Sequence, residues 1–218
     1  MPRRKRFFFD NLPYHILNRG NRRQTIFSQP ADYELFLTTI ADALEKVTLA
    51  ILAFALMPNH FHLVVLPKAG TDISAFMQWL MNAHIRRHHR ARELRGTGHL
   101  YQGPFKAFPV QKDRHLLNVI RYVEANPLAA HLVAKAEFWR WSSLSHPYAE
   151  GGRVLLSPWP IERPPNWLDI VNQRLPIETY EQLRMATRCQ IPFGEPEWIR
   201  TLEEQEKDAT TDPVICLA

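Results

Sequence analysis

The sequence predicts an α+β fold in which helices pack on an antiparallel sheet and an irregular C-terminal extension follows. Two observations lead there. Apolar runs of strand length alternate with apolar stripes at helical spacing in the order β-α-β-β-α-β, and turn-forming residues stand at the junctions. A shift in composition after about Ser142 marks off the extension.

Residues 13–18 (PYHILN) read as the first strand, broken by Arg19, Gly20 and Asn21. Residues 28–32 offer a cap and a proline at a helix start, after which Leu35, Phe36, Ile40, Leu44 and Val47 recur at helical spacing. The apolar run 49–57 has strand length, Pro58-Asn59 is turn chemistry, and 60–66 form another strand. Thr71 and Asp72 open a second helix with Ile73, Phe76, Met77, Leu80 and Ile85 as its buried stripe. Residues 96–103 read as a loop and 105–111 as a fourth strand. Asp113 then starts a helix carrying Leu116, Leu117, Ile120, Val123 and Glu124, which Pro127 interrupts.

This order is the ferredoxin-like, RRM-like split β-α-β arrangement, with helices on one face of the sheet. Many functions use that fold, so function has to be read from the site. The expected division is 1–146 for the domain that carries the chemistry and 147–218 for a proline-rich linker and C-terminal extension. Five of the seventeen prolines fall between 147 and 165, which suits a linker or an extended wrap, and 178–189 and 197–207 suit short polar helices.

With 45% hydrophobic and 22% charged residues, the 218-residue chain can bury a substantial core, which argues against disorder as its main state. The formal charge of +5 and a sequence pI of about 9.4 are modest, but the charge is clustered. Arg3, Arg4, Lys5 and Arg6 are followed by Arg19, Arg22 and Arg23. A second cluster holds Arg86, Arg87, Arg90, Arg92 and Arg95 among His84, His88 and His89. Such clusters are the footprint of a polyanion binder, although either one alone is equally a solvated face. The two cysteines, Cys189 and Cys216, cannot build a disulfide framework or a cysteine zinc site, so a reducing cytoplasm is expected. The run 49–57 is far short of the ~20 residues of a membrane span, and Phe7 to Phe9 is too short for a secretory signal.

The sharpest chemical signal is MPNHFHLVV, residues 57–65. On a strand, residues two apart face the same way, so His60 and His62 present two imidazoles side by side, a preorganised pair for a divalent ion. A lone histidine there would more often be a hydrogen-bonding turn residue. On the helix after the fourth strand, Tyr122 and Asn126 are four apart and share a face. A tyrosine with a pKa of about 10 is a weak nucleophile at neutral pH. Beside a metal that polarises a phosphodiester it can attack phosphorus and store the diester energy in a phosphotyrosine. By itself Tyr122 is more often a partly buried core aromatic.

MPNHFHLVV, with PYHILNRGNRRQTIF before it and RYVEANPLAAHLV and FWRWSSLSHPY after it, resembles the REP-associated tyrosine transposases, relatives of the IS200/IS605 single-tyrosine transposases. The resemblance runs in order from residue 13 to about 146. It implies His60 and His62 as ligands of Mg²⁺ or Mn²⁺, Tyr122 as the nucleophile and Asn126 as third ligand, where the compact relatives typically carry glutamine. It implies a strand-transferring endonuclease acting on single-stranded DNA folded as a palindromic hairpin with a short guide at its foot. It favours a monomer using Tyr122 in cis over a helix-swapped dimer.

Arg4, Lys5, Arg19, Arg22 and Arg23, with Arg86, Arg87 and Arg90 as a second patch, are the candidate phosphate contacts. Tyr101 and Phe105 are candidates for base stacking beside the plainer reading of loop and strand packing. His15 either faces the site or makes a structural hydrogen bond. The alternatives are an inactive nucleic-acid-binding module on the same fold, and a zinc hydrolase, which lacks a His-Glu helix motif.

Overall fold

The computed structural model describes residues 8–93, 98–145 and 156–211. Arg4, Lys5, Arg95, Cys216 and the expected division at 146/147 lie outside them. Four strands, β1 (Tyr14–Arg19), β2 (Leu49–Met57), β3 (His60–Pro67) and β4 (Lys106–Pro109), form one antiparallel sheet in the order β2-β3-β1-β4. The helices are α1 (Pro30–Leu44), α2 (Gly70–Ala91), α3 (Arg114–Glu124), α4 (Asn126–Ala129), α5 (Trp167–Asn172), α6 (Ile177–Cys189) and α7 (Pro196–Thr211). The element order through α3 follows the sequence expectation, while α5 was not expected.

Strand alternation builds two cores rather than one. Ile16, Phe61, Leu63 and Val65 point to one face and pack with Phe36 and Ile40 of α1 and Phe76 and Leu80 of α2. Ala53, Ala55, Val64 and Phe108 point to the other and pack with Leu116, Val119, Ile120 and Val123 of α3, Trp167 and Val171 of α5, and Leu183 and Ala186 of α6. Helices therefore cover both faces, which corrects the expectation of one. The reason is visible in β2: LAILAFALM is apolar at every position, and a strand buried on both sides needs cover on both.

Segments after α4, running into the extension, also cover the sheet edges. Leu56 N donates to Trp141 O at 2.8 Å and Ser143 N to Phe54 O at 2.9 Å, followed by Ser157 N to Ile51 O at 2.8 Å. The Trp159 indole donates to Leu52 O at 2.9 Å. Along β4, Phe193 N donates to Pro109 O at 2.9 Å, and Gln111 N to Phe193 O at 3.0 Å. Pairing of this kind removes open edges that would template association. Over the described residues after 155, the proline-rich stretch begins as a wrap along β2.

Two helix starts depend on an acid at their third position. The Asp32 carboxylate accepts from Ser28 N at 2.8 Å and Gln29 N at 3.0 Å, so within the expected 28–32 start it is Asp32 that supplies the cap. Asp72 accepts from Ala69 N at 3.0 Å.

Candidate active site

The register of β1 on β3 places Arg19 opposite His60 and Leu17 opposite His62. His60 and His62 lie on the α3 face of the sheet, with ring centroids 4.9 Å apart. The turn that introduces them is held by the segment after β1. Gly20 N donates to Asn59 O at 2.8 Å, Ile26 N and Phe27 N both donate to Pro58 O, and the Asn59 amide donates to Arg23 O at 3.2 Å. The NRGNRR and MPNH motifs are thus one structural unit. Gly20 is required there because a Cβ would stand 2.3 Å from Gln24 O.

Each histidine has its Nδ1 engaged. His60 Nδ1 is 2.7 Å from the Asn59 side-chain oxygen, an acceptor, so Nδ1 carries the proton and Nε2 a free lone pair. His62 Nδ1 is 2.8 Å from His15 Nε2, with the two rings stacked 5.0 Å apart. His15 therefore both faces the site and makes a structural hydrogen bond. Burial, then the Arg19 charge, lowers the His60 pKa to about 4; burial and the neighbouring imidazoles and Arg19 hold His62 well below its ordinary value. Both rings are neutral at pH 7, as metal ligation requires.

α3 brings Tyr122 over this pair. Its ring lies 6.0 Å from that of His62 and 6.2 Å from that of His15, perpendicular to both. The strong amphipathicity of RHLLNVIRYVE sets this orientation: Leu116, Val119, Ile120 and Val123 are buried, and Tyr122 is half-buried at the edge of that core. Burial pushes the phenol pKa up. The Asn126 side chain and the positive charges of Arg184 and Arg19 pull it down. Asn126 stays on the Tyr122 face and donates its amide to Tyr122 O at 3.1 Å, so its side-chain oxygen has capacity to accept or ligate.

Among the described residues, no three His, Cys, Asp or Glu converge as a metal cluster. The donor set available to an ion is the Nε2 atoms of His60 and His62 with neutral oxygens such as Asn126 Oδ1, water or phosphate. Two imidazoles with oxygen donors form a set that suits a labile divalent ion held together with its substrate.

The basic candidates separate. Arg19 and Arg23 line a cleft of about 980 Å³ that reaches Tyr122, together with Lys106, Arg184 and Arg188. Arg22 is exposed on the same loop. Arg86, Arg87 and Arg90 belong to α2, which packs on the opposite face, and Arg87 is engaged with Asp42 at 2.7 Å. Tyr101 is buried with its hydroxyl 2.7 Å from His84 Nδ1, and Phe105 stacks on Phe8 with ring centroids 6.4 Å apart, so both pack within the protein. Sequence reading assigned no role to Lys106, Arg184 or Arg188, which reach the cleft through long-range packing that no local signal announces.

The family model described as "Transposase IS200 like" matches residues 8–126. No curated protein matches. A solved structure described as a REP-associated tyrosine transposase bound to a REP hairpin superposes with a TM-score of 0.56 at 17% identity, covering 80% of this chain and 99% of that one. At that identity the likeness is one of fold. A transposase structure from Deinococcus radiodurans, itself described only as a candidate, gives a TM-score of 0.42 at 20% identity, covering 56% of this chain and 95% of that one.

Proposed function

The chain belongs to the IS200-like transposase family, and from that premise we propose that it is a single-tyrosine DNA strand transferase acting on hairpin-bearing single-stranded DNA. The observation that carries this reading is the convergence, within one chain, of Tyr122 on His62 at 6.0 Å between rings. In this reading the protein acts as a monomer with Tyr122 used in cis, and residues 1–146 serve as the catalytic unit with 147–218 appended.

His60 and His62 would hold a divalent ion, Mg²⁺ or Mn²⁺, with Asn126 as an additional oxygen ligand. The bound ion would neutralise charge developing on the phosphoryl oxygens. The Tyr122 Oη bonds to phosphorus as the bond from phosphorus to the 3′-oxygen breaks. This leaves a 5′-phosphotyrosine, and the phenolic proton ends, in net balance, on the 3′-hydroxyl released. Burial favours the protonated phenol, and the Asn126 side chain and the charges of Arg184 and Arg19 oppose it. A second 3′-hydroxyl reverses the step and joins new ends.

The test is incubation of the full chain with labelled single-stranded hairpin DNA from around its own gene, with and without Mn²⁺, beside Tyr122→Phe. The expected result is a metal-dependent covalent adduct that the variant loses. Binding without an adduct in any hairpin context would leave an inactive nucleic-acid-binding module and end the catalytic reading.

A further inference from the structure

The cleft beside Tyr122 has two walls, and the second comes from the extension. One wall is the end of β1, the turn that follows it and the start of β4, with Arg19, Arg23 and Lys106; the other is α6, with Arg184 and Arg188. We propose that α6 is part of the substrate site, its Arg184 and Arg188 gripping successive phosphates of the single strand that leads to Tyr122. The inference rests on the strand-transferase reading for what occupies the cleft.

Three features support it. First, α6 is fixed in place: Leu183 and Ala186 are buried in the core shared with β4 and α3, and the Lys106 ammonium donates to Arg188 O at 3.0 Å. Second, Arg184 and Arg188 are exposed and four residues apart, about 6 Å along the helix, so both guanidinium groups project from one face. Third, five cations line the cleft against one carboxylate, Glu181, which Arg184 meets at 3.2 Å. That imbalance is the local polyanion signature that the modest net charge of the chain only suggests. A volume of about 980 Å³ is the size of a small-ligand site, suited to a few nucleotides of one strand and not to a turn of duplex. Tyr122 lines the same cleft as Arg184 and Arg19, so the gripped strand would run to the reacting group.

The experiment measures fluorescence anisotropy of the full chain with two labelled DNAs, a hairpin carrying a single-stranded flank and a blunt hairpin, over a series of NaCl concentrations. Arg184→Ala/Arg188→Ala should bind the flanked hairpin at least tenfold more weakly. Its log-log salt slope should be shallower by about 1.4, the value for two single-strand phosphates. Arg184→Lys/Arg188→Lys should recover most of the slope. Arg200→Ala, on α7 and away from the cleft, should match the parent. The blunt hairpin should not distinguish these proteins. Equal affinity and slope in the alanine variant overturn the proposal, as does unchanged binding with increased adduct formation, which would make α6 a cover. If the parent binds the flanked hairpin with the predicted slope but forms no adduct, the catalytic reading falls while the binding role of α6 stands.

Discussion

His15 Nε2 lies 2.8 Å from His62 Nδ1, and both rings are buried. Two neutral imidazoles share one proton across that contact, so the direction of the bond decides whether His62 can bind an ion. If His62 Nδ1 donates, its Nε2 carries a lone pair and the proton of His15 sits on Nδ1, which has no partner. If His15 donates, His62 Nε2 is protonated and closed to a metal. Asn59, a pure acceptor at its oxygen, fixes His60 in the open form without ambiguity. Removing such a partner typically costs ten- to a hundredfold in metal affinity. His15→Phe should therefore weaken Mn²⁺ binding by about tenfold or more in a paramagnetic titration. His15→Gln, which keeps a polar atom near Nε2, should lose less. Equal affinities in all three proteins would show that His15 only fills space.

Acid should unfold the protein early. Burial lowers the pKa of His15 and of His84 from 6.5 to about 3. Below about 6.5 the unfolded chain takes up protons that the folded one refuses, so stability is lost as pH falls from there toward the folded values. Each fully buried imidazole contributes a slope of at most about 1.4 kcal/mol per pH unit, hence about 2 kcal/mol between pH 6.5 and 5. Urea unfolding at pH 7 and pH 5 should show the loss. His84→Asn should flatten the slope without touching the site.

The extension should be coupled through Glu124 to α3, the helix that carries Tyr122. Its buried carboxylate accepts from Ser143 Oγ at 2.6 Å and from the Trp167 indole at 2.7 Å, tying α3 to two segments that follow it. Trp167→Phe keeps an aromatic ring there but leaves one carboxylate oxygen without its donor. The expected cost is about 1–3 kcal/mol in denaturant unfolding. A cost near zero would mean that water replaces the indole.

Much of this arrangement was legible in the sequence for a physical reason. Strand and helix periods are local, so 49–57 and the 116-to-123 stripe identified β2 and α3 directly. Legibility fell where the cause was distant. β4 ends at Pro109, two residues before the expected 111, although Val110 still donates its N–H to Pro13 O at 2.8 Å. Trp167 and Val171 are spaced as a helix face, yet the prolines before them masked α5. The His60–His62 pair needed only strand alternation. The His15 contact needed the β1–β3 register, and the placement of Arg184 and Arg188 needed the packing of α6 against a strand some eighty residues earlier, which no local pattern encodes.

Gly20 offers a test of whether the loop after β1 shapes the His60–His62 pair. Its φ of −56° is open to any residue, so conformational strain is not the constraint. Space is: a Cβ would stand 2.3 Å from Gln24 O and 3.1 Å from the Ile26 side chain. Gln24 N is itself bonded to Asn21 O, and Ile26 N to Pro58 O, so the backbone cannot yield without moving the Pro58-Asn59 turn. That turn carries Asn59, the partner of His60 Nδ1. Gly20→Ala should cost about 1–3 kcal/mol of stability, the usual penalty for overpacking. It should also weaken Mn²⁺ binding, because His60 loses its orienting acceptor. If stability falls while ion affinity is unchanged, the loop supports the fold alone and the His60 ring is held by the sheet.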